Sequence, residues 1–168
     1  MTKLDSIEKA EKALVLEIKD TIRKARIVLA DDCDTLFHGK QMLEKLRKAT
    51  YERLNQLQHE ALLLSGTKYL IRKGANNKAN IYWNPRQTGS IDEPDLRITD
   101  ANGKILFSAE ATTSYEPKGY IDKRMAETLR KLSKFPGQQY YFVVSEEMKK
   151  RALLKIGKAK YSIDVEIV

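Results

Sequence analysis

The chain has 168 residues, 42% hydrophobic and 32% charged, which is enough apolar material for one folded domain. Its single cysteine, Cys33, excludes an intrachain disulfide framework and a Cys/His zinc site. The formal net charge is +8, and residues 67–168 carry 19 lysines and arginines against 12 acidic residues. A basic half favours a polyanionic partner such as nucleic acid, although a lysine-rich soluble surface produces the same charge.

The sequence gives little support for a membrane protein or a secreted protein. No apolar run approaches the ~20 residues of a membrane span, and the first residues have the pattern of a charged helix and not of a signal peptide. We therefore predict an intracellular, cytoplasmic protein without a membrane partner. His38 and His59 are isolated in the sequence, and we expect helix-side or surface positions for them and not metal ligation.

Helical periodicity dominates the first third of the chain. Apolar residues recur at helical spacing over 5–30, where Ser6 is a candidate cap, and again over 39–64, where Ser65-Gly66 is a candidate stop. Asp31, Asp32 and Asp34 lie between the two segments. They indicate a turn with a helix cap, and the alternative is that they bind a metal ion. The sequence predicts an N-terminal helical pair over 1–66, part of which packs on the core.

The period changes after residue 66. Residues 67–168 predict an α/β core with a central mixed sheet flanked by helices. The predicted strands cover 67–74, 80–85, 94–99, 104–113, 139–145 and 161–168, and the predicted helices cover 121–134 and 146–156. Asp100, Asn102 and Gly103 in the segment "DANG" indicate a hairpin turn between the third and fourth of these strands.

Two carboxylates belong to this hairpin. Asp95 begins one strand, and Glu110 lies late in the other, at the end far from the turn. If paired residues have numbers that sum to about 203, Asp95 lies near Ser108 and within reach of Glu110. Two such carboxylates repel each other unless a cation lies between them, and Mg²⁺ prefers carboxylate oxygens and often engages a phosphate. The alternative is that both are exposed strand ends paired with nearby lysine or arginine.

The motif Pro94-Asp95, followed fifteen residues after the aspartate by Glu110-Ala111-Thr112, resembles the PD-(D/E)xK nuclease superfamily, whose signature is Pro-Asp, a gap, and Asp/Glu-x-Lys. This superfamily includes many type II restriction endonucleases, archaeal junction resolvases, and repair and viral nucleases. The order of predicted elements over about 40–145 is also similar to its core. The resemblance implies a restriction-endonuclease-like fold and metal-dependent hydrolysis of DNA, duplex or branched, by a homodimer.

The resemblance also implies roles for particular residues. Asp95, Glu110 and the backbone carbonyl of Ala111 would bind Mg²⁺, for which Mn²⁺ would substitute. Glu60, on the helix before the sheet, is a further candidate ligand, with a solvated helix surface as the alternative. Thr112 stands where the family has lysine, so it would hold the attacking water by hydrogen bonding alone. Lys118, Lys123 and Glu116 are the candidates for the role of the missing lysine, and Lys118 is the one assigned to the site.

Basic residues of the second half would hold the substrate. Tyr69 and Trp83 lie among them as candidates for base stacking or, alternatively, for core packing. The predicted nucleic-acid-binding residues are Lys68, Arg72, Lys73, Lys78, Arg86, Lys123, Arg124 and Lys131.

Two other functions remain open from the sequence. A catalytically weak or inactive DNA-binding protein of the same fold would keep the basic cleft, and Thr112 in place of lysine is compatible with it. An interaction protein would use the helices within 5–64 as a docking surface, with Asp95 and Glu110 as ordinary surface charges.

Overall fold

The computed structural model describes residues 1–30, 32–75, 79–86 and 92–168. Within these ranges the strands are β1 (Thr2–Lys3), β2 (Asn80–Trp83), β3 (Leu96–Thr99), β4 (Ile105–Thr112), β5 (Gln138–Val143) and β6 (Ile163–Ile167). The helices in the same ranges are α1 (Ile7–Leu29), α2 (Leu36–Lys73), α3 (Tyr120–Leu132) and α4 (Glu146–Ala159).

The strands form one open sheet in chain order, from β1 at one edge to β6 at the other. Neighbours from β1 to β4 run antiparallel, whereas β5 runs parallel to β4, and β6 runs parallel to β5. The prediction of an α/β protein with a mixed sheet is therefore confirmed. β5 lies inside the sheet, as its continuous apolar run predicted.

Each face of the sheet carries its own hydrophobic core. One core joins α1 and α2 to sheet residues that include Ala109, Ala111 and Phe142. The other joins α3 and α4 to sheet residues that include Tyr141 and Val143. Successive residues of β4 and β5 therefore point to opposite faces, as the pleat requires. Ala109 and Ala111 lie on the α2 side, which leaves the intervening Glu110 on the other face.

The predicted end of the second helix at Ser65-Gly66 is wrong, and so is the predicted strand at 67–74. α2 is a single helix of 38 residues that ends at Gly74, where φ is +136°. Leu63, Gly66, Thr67 and Leu70 are all buried, at the spacing of one helix face. Packing of this face on the sheet overrides the weak local stop signal, so the predicted boundary between 1–66 and 67–168 falls inside α2.

The helix caps agree with the sequence only in part. Ser6 caps α1 as predicted, since its side chain accepts a hydrogen bond from the backbone N–H of Lys9. α2 is capped by Thr35, whose hydroxyl accepts from the N–H of His38, so the predicted cap among the aspartates before it is wrong for the described residues. Asp31 lies outside the described residues.

The hairpin between β3 and β4 turns where the sequence predicted. The Asp100 carboxylate accepts hydrogen bonds from the backbone N–H groups of Asn102 and Lys104, and Gly103 has φ of +83°. The register pairs Leu96 with Ala109, so the numbers of paired residues sum to 205 and not to the predicted 203. Continued by one residue, this register sets Asp95 opposite Glu110 itself and not opposite Ser108.

Candidate functional site

Asp95 is held in a buried position at the start of β3. Its side chain is fully buried, and Oδ2 accepts a hydrogen bond of 3.1 Å from the backbone N–H of Ala111 on β4. The same oxygen lies 3.2 Å from Nε2 of His59 on α2. The carboxylate is thus fixed by two elements, β4 and α2. Asp95 is therefore not an exposed charge at the end of a strand, which was the alternative interpretation.

Glu110 is buried on the opposite strand of the hairpin. Its side chain is 8% exposed, and Nζ of Lys131 on α3 lies 2.8 Å from Oε1. Oε1 is a buried oxygen, and the Lys131 ammonium is its close polar contact. Burial, and after it the charge of Asp95, raise the pKa of Glu110 to about 7, against the opposing effect of Lys131.

His59 was not predicted as a site residue; it lies on the side of a helix, one of the two positions expected for it, but it is buried and not at the surface. The ring is buried between the Pro85 carbonyl oxygen, 2.8 Å from Nδ1, and the Asp95 carboxylate at Nε2. Burial by itself lowers the pKa of His59, but the hydrogen bond and charge of Asp95 outweigh burial and raise it. The available signal was its position on the helical face of α2 that also carries the buried Leu62, Leu63 and Gly66.

The motif triplet continues beyond Glu110 toward solvent. Ala111 is buried and supplies the N–H that fixes Asp95, whereas Thr112 is half-buried. The Thr112 hydroxyl accepts a hydrogen bond of 2.8 Å from the Tyr141 hydroxyl. Burial raises the pKa of Tyr141 to about 12, so this hydroxyl stays a donor at neutral pH. The hydrogen of the Thr112 hydroxyl is left free to bind a further acceptor.

A cleft of about 380 Å³ opens beside these residues. Its lining includes His59, Ala111 and Thr112 together with two cations, Arg86 and Arg124. Asp95 and Glu110 are not part of the lining. They lie behind it, Asp95 in contact with His59, and both next to Ala111. A molecule in the cleft therefore meets His59 before it meets the carboxylates.

The other predicted site residues lie elsewhere. Glu60 is buried beside α1, and its charged neighbours include Arg86, Glu17 and Arg53, with the Arg86 Nε at 3.9 Å. Burial raises the pKa of Glu60. Lys118 is exposed and pairs with the equally exposed Glu116.

The predicted nucleic-acid-binding residues are divided among several surfaces. Lys68, Arg72 and Lys73 are exposed near the end of α2, about 14 to 21 Å further along the helix axis than His59. Lys68 pairs there with Glu11, and the ammonium of Lys73 lies 5.5 Å from the ring centre of Tyr69.

The remaining residues of that set are closer to the cleft. Arg86 and Arg124 line it, Lys123 is exposed on α3, and Lys131 pairs with Glu110. Lys78 lies outside the described residues.

The two aromatic candidates for stacking belong to the core. Tyr69 packs edge-on against Tyr140 and Phe142, and its hydroxyl donates to Glu166. Trp83 is buried in the core that α1 and α2 share with the sheet. Core packing, the alternative that the sequence left open, therefore describes both.

The fit of a divalent cation can be tested on this set of donors. Over the described ranges, no group of three or more His, Cys, Asp or Glu side chains is placed so that it could hold a metal ion. Two observations nevertheless fit a cation: the buried Oε1 of Glu110, which already attracts the Lys131 ammonium, and a second buried carboxylate opposite it in the hairpin. Both are oxygen donors of the kind that Mg²⁺ and Mn²⁺ accept.

No family model, curated protein or solved structure matches this chain. In the part of the chain that the structure describes, no helix combines the length and the apolar character needed to cross a membrane.

Proposed function

We propose that this protein is a metal-dependent DNA endonuclease with a restriction-endonuclease-like core, resembling type II restriction or junction and repair nucleases. The observation that carries the proposal is the pair of buried carboxylates, Asp95 and Glu110, set opposite each other in one hairpin behind a cleft that contains arginine. Burying two adjacent carboxylates is costly unless a positive charge joins them. Lys131 pairs with Glu110, and Asp95 is held by His59 and the Ala111 N–H, so no single charge joins the two carboxylates.

In the proposed hydrolysis of a phosphodiester, the side chains of the site have different roles. A bound Mg²⁺ or Mn²⁺ supplies polarisation of the phosphate and a lowered pKa of water. Asp95 and Glu110 hold the ion, with the Ala111 carbonyl as a further candidate ligand, and the Ala111 N–H fixes the orientation of Asp95. Thr112, held by Tyr141, offers its hydroxyl hydrogen to an acceptor in the cleft.

Lys131 takes the part that the resemblance gave to the missing motif lysine. Its ammonium lies 2.8 Å from Glu110 and comes from α3, not from the motif strand. A cation at this position stabilises negative charge that develops on the phosphate. Lys118, the sequence-based candidate, is exposed and paired with Glu116, and it is the weaker choice.

The cleft favours a nucleic acid substrate because its cations are arginines. Arg86, which in this structure donates to the Glu17 carboxylate, and Arg124 line it. A guanidinium donates to phosphate oxygens in two directions at once. Phosphate contacts of this kind position a duplex or branched DNA without reading its sequence.

Cleavage of supercoiled plasmid and of a four-way DNA junction tests the function. We expect nicking or linearisation with Mg²⁺ or Mn²⁺, none with EDTA, and none from an equal preparation of Asp95→Asn. A gel shift of the same DNA by wild type without any metal-dependent cleavage would instead establish the DNA-binding protein without catalysis. Absence of both binding and cleavage would reject the proposal.

We also propose that the protein is a homodimer, since cutting both strands of a duplex requires two sites related by a two-fold axis. The partly apolar tips of α1 and α2 are the candidate contact. They expose large apolar side chains around a groove of about 740 Å³. The exposed apolar residues near it are Ile27, Leu29, Leu36, Phe37 and Leu43.

A second copy of this chain fits the groove better than DNA does. Residues 1–66 carry 12 lysines and arginines against 11 acidic residues, so two copies do not repel each other and a polyanion is not attracted. Apolar patches of this extent mark protein–protein contacts.

Leu43→Glu is therefore expected to convert a dimer into a monomer. Leu43 is 69% exposed and lines the groove, so a carboxylate there would be buried unpaired at the interface. Light scattering behind size exclusion, at micromolar protein, measures the mass. Leu154→Glu on α4 is the matched control, because Leu154 is 58% exposed and far along the chain from the groove. A wild type that is monomeric would contradict the proposed dimer.

A further inference from the structure

We infer that one face of the sheet over β1, β2 and β3 binds an unpaired stretch of DNA, so that branched DNA is preferred over a continuous duplex. The surface is a line of three side chains, which we call the basic row: Lys3, Tyr82 and Arg97. The inference rests on the proposed function, since it names the class of DNA that the proposed site receives.

The register of the sheet places these three side chains next to one another. Lys3 pairs with Tyr82, and Tyr82 pairs with Arg97. Paired residues point to the same face of a sheet, and neighbouring strands lie about 4.8 Å apart. The basic row is therefore continuous across three strands, with the aromatic ring between two cations. None of the three residues lines the cleft, so the row is a second surface.

The helices leave this part of the face open. Ile81 and Trp83, on either side of Tyr82, pack into the core on the α1 and α2 side, so Tyr82 points to the face that carries α3 and α4. The core under α3 and α4 takes its sheet residues from β5 and β6. Tyr82 is half-buried and belongs to neither core, and Lys3 is exposed. Within the described ranges, part of the tyrosine ring is thus accessible.

The two cations of the basic row hold no carboxylate. In the described part of the chain, neither Lys3 nor Arg97 takes part in an ion pair. The charge of Glu93 interacts with that of Arg97, but its carboxylate is already paired with the Met1 amino group at 2.7 Å. A phosphate beside the row would therefore meet a lysine and an arginine that are available to it.

An aromatic ring between two cations suits a strand whose bases are free. Tyrosine stacks on the face of any base, while lysine and arginine contact the phosphates on either side. In a duplex, each base is already paired and stacked between its neighbours, so a ring on a sheet surface cannot reach its face. The basic row accordingly favours an unpaired strand.

The basic row borders the proposed site. Arg97 pairs with Ser108 on β4, and Glu110 lies two residues further along the same face, about 7 Å away. Lys131, which pairs with Glu110, is also close enough to Glu93 for their charges to interact. A strand that lies on the row therefore passes next to the two carboxylates, and binding there would select which DNA the site receives.

Replacement of single side chains tests each part of the row. Tyr82→Leu should weaken binding of a single-stranded oligonucleotide by about 5- to 100-fold, whereas Tyr82→Phe keeps the ring and should bind like wild type. Lys3→Gln, at an exposed position, should lower the salt slope of binding by about 0.7, the share of one phosphate contact. Lys158→Gln, exposed near the end of α4, is the matched control and should change neither quantity.

Fluorescence anisotropy of the full chain with a labelled oligonucleotide of about 12 nucleotides, single-stranded or as a blunt duplex, measures these affinities in EDTA. We expect wild type to bind the single strand more tightly than the duplex, and Tyr82→Leu to lose this preference. Equal single-strand affinity of wild type, Tyr82→Leu and Lys3→Gln would overturn the inference. So would the absence of single-strand binding by wild type.

Cleavage of a duplex with a single-stranded branch, measured on the same preparations with Mg²⁺ or Mn²⁺, separates the inference from the proposed function. Metal-dependent cleavage by proteins that all bind the single strand equally would leave the nuclease standing and reject the basic row. The expected losses of affinity without cleavage by any preparation would reject the nuclease and keep the basic row as a DNA-binding surface.

Discussion

Glu110→Gln is expected to abolish metal-dependent cleavage while making the metal-free protein more stable at neutral and alkaline pH. The loss of cleavage should exceed about 100-fold, because changing even the groups that support metal ligands costs 10- to 100-fold. The gain in stability follows from burial, since the glutamine that replaces Glu110 cannot carry the buried charge. Stabilising and inactivating effects of one substitution are typical of functional sites.

The pH dependence has a definite sign. Burial raises the pKa of Glu110 to about 7 in the folded protein, above its ordinary value of 4.5 in the unfolded chain. The folded state therefore binds more protons between these two values, and the free energy of unfolding falls as pH rises through them. The difference between Glu110→Gln and wild type should be near zero at pH 4.5, grow by about 3 kcal/mol, and level off above pH 8.

Urea denaturation at several pH values, with EDTA present, measures this difference. Glu116→Gln is the matched control, because Glu116 is exposed and should change neither cleavage nor the pH profile. Added Mn²⁺ should stabilise wild type and leave Glu110→Gln unchanged. A Glu110→Gln protein that still cleaves DNA, or that is uniformly less stable than wild type at pH 8, would contradict the interpretation of this residue.

Gly66→Ala is expected to destabilise the protein by about 1–3 kcal/mol, although alanine is the better helix former. A Cβ built at Gly66 would lie 2.5 Å from two ring carbons of Phe142, which is fully buried between β4 and β6. Neither partner can move far, since α2 packs on the sheet along this face. The overlap outweighs the gain of roughly 1 kcal/mol that alanine brings to an open helix position.

Gly157→Ala on α4 provides the matched control. Gly157 is exposed in a helix and nothing lies within 4 Å of a Cβ built there, so this substitution should stabilise by about 0.5–1 kcal/mol. Urea midpoints at constant m-value compare the two variants. Adding Phe142→Leu to Gly66→Ala should recover part of the loss, because the smaller side chain relieves the overlap. Equal stabilisation by both alanines would show that Gly66 is not in close contact with the ring.

Much of the fold follows from patterns that are local in the chain. The hairpin is correct in position because Asp100 and Gly103 fix the turn through their own backbone contacts. The alternation along β4 correctly separates Glu110 from Ala109 and Ala111. β1 escaped prediction because two residues, Thr2 and Lys3, are too few to show any period.

The candidate site could be predicted only in part. Asp95 and Glu110 were found because both belong to one hairpin, whose pairing depends on a turn of a few residues. His59 and Lys131 were not assigned to the carboxylates, because they come from α2 and α3, which have no local relation to the hairpin. The expected register was also two residues off. This error placed Asp95 near Ser108 and understated how directly it faces Glu110.

The sequence by itself determined the mixed α/β class, the hairpin with its two acidic residues, and the basic character of the second half. These features depend on side-chain period, turn chemistry and composition, which act between near neighbours or over the whole chain. Only the tertiary structure decided that α2 continues through Gly66, that His59 is buried against Asp95, and that Lys131 pairs with Glu110. The reason is that helix length and side-chain burial depend on which face the sheet covers, and no local pattern contains that information.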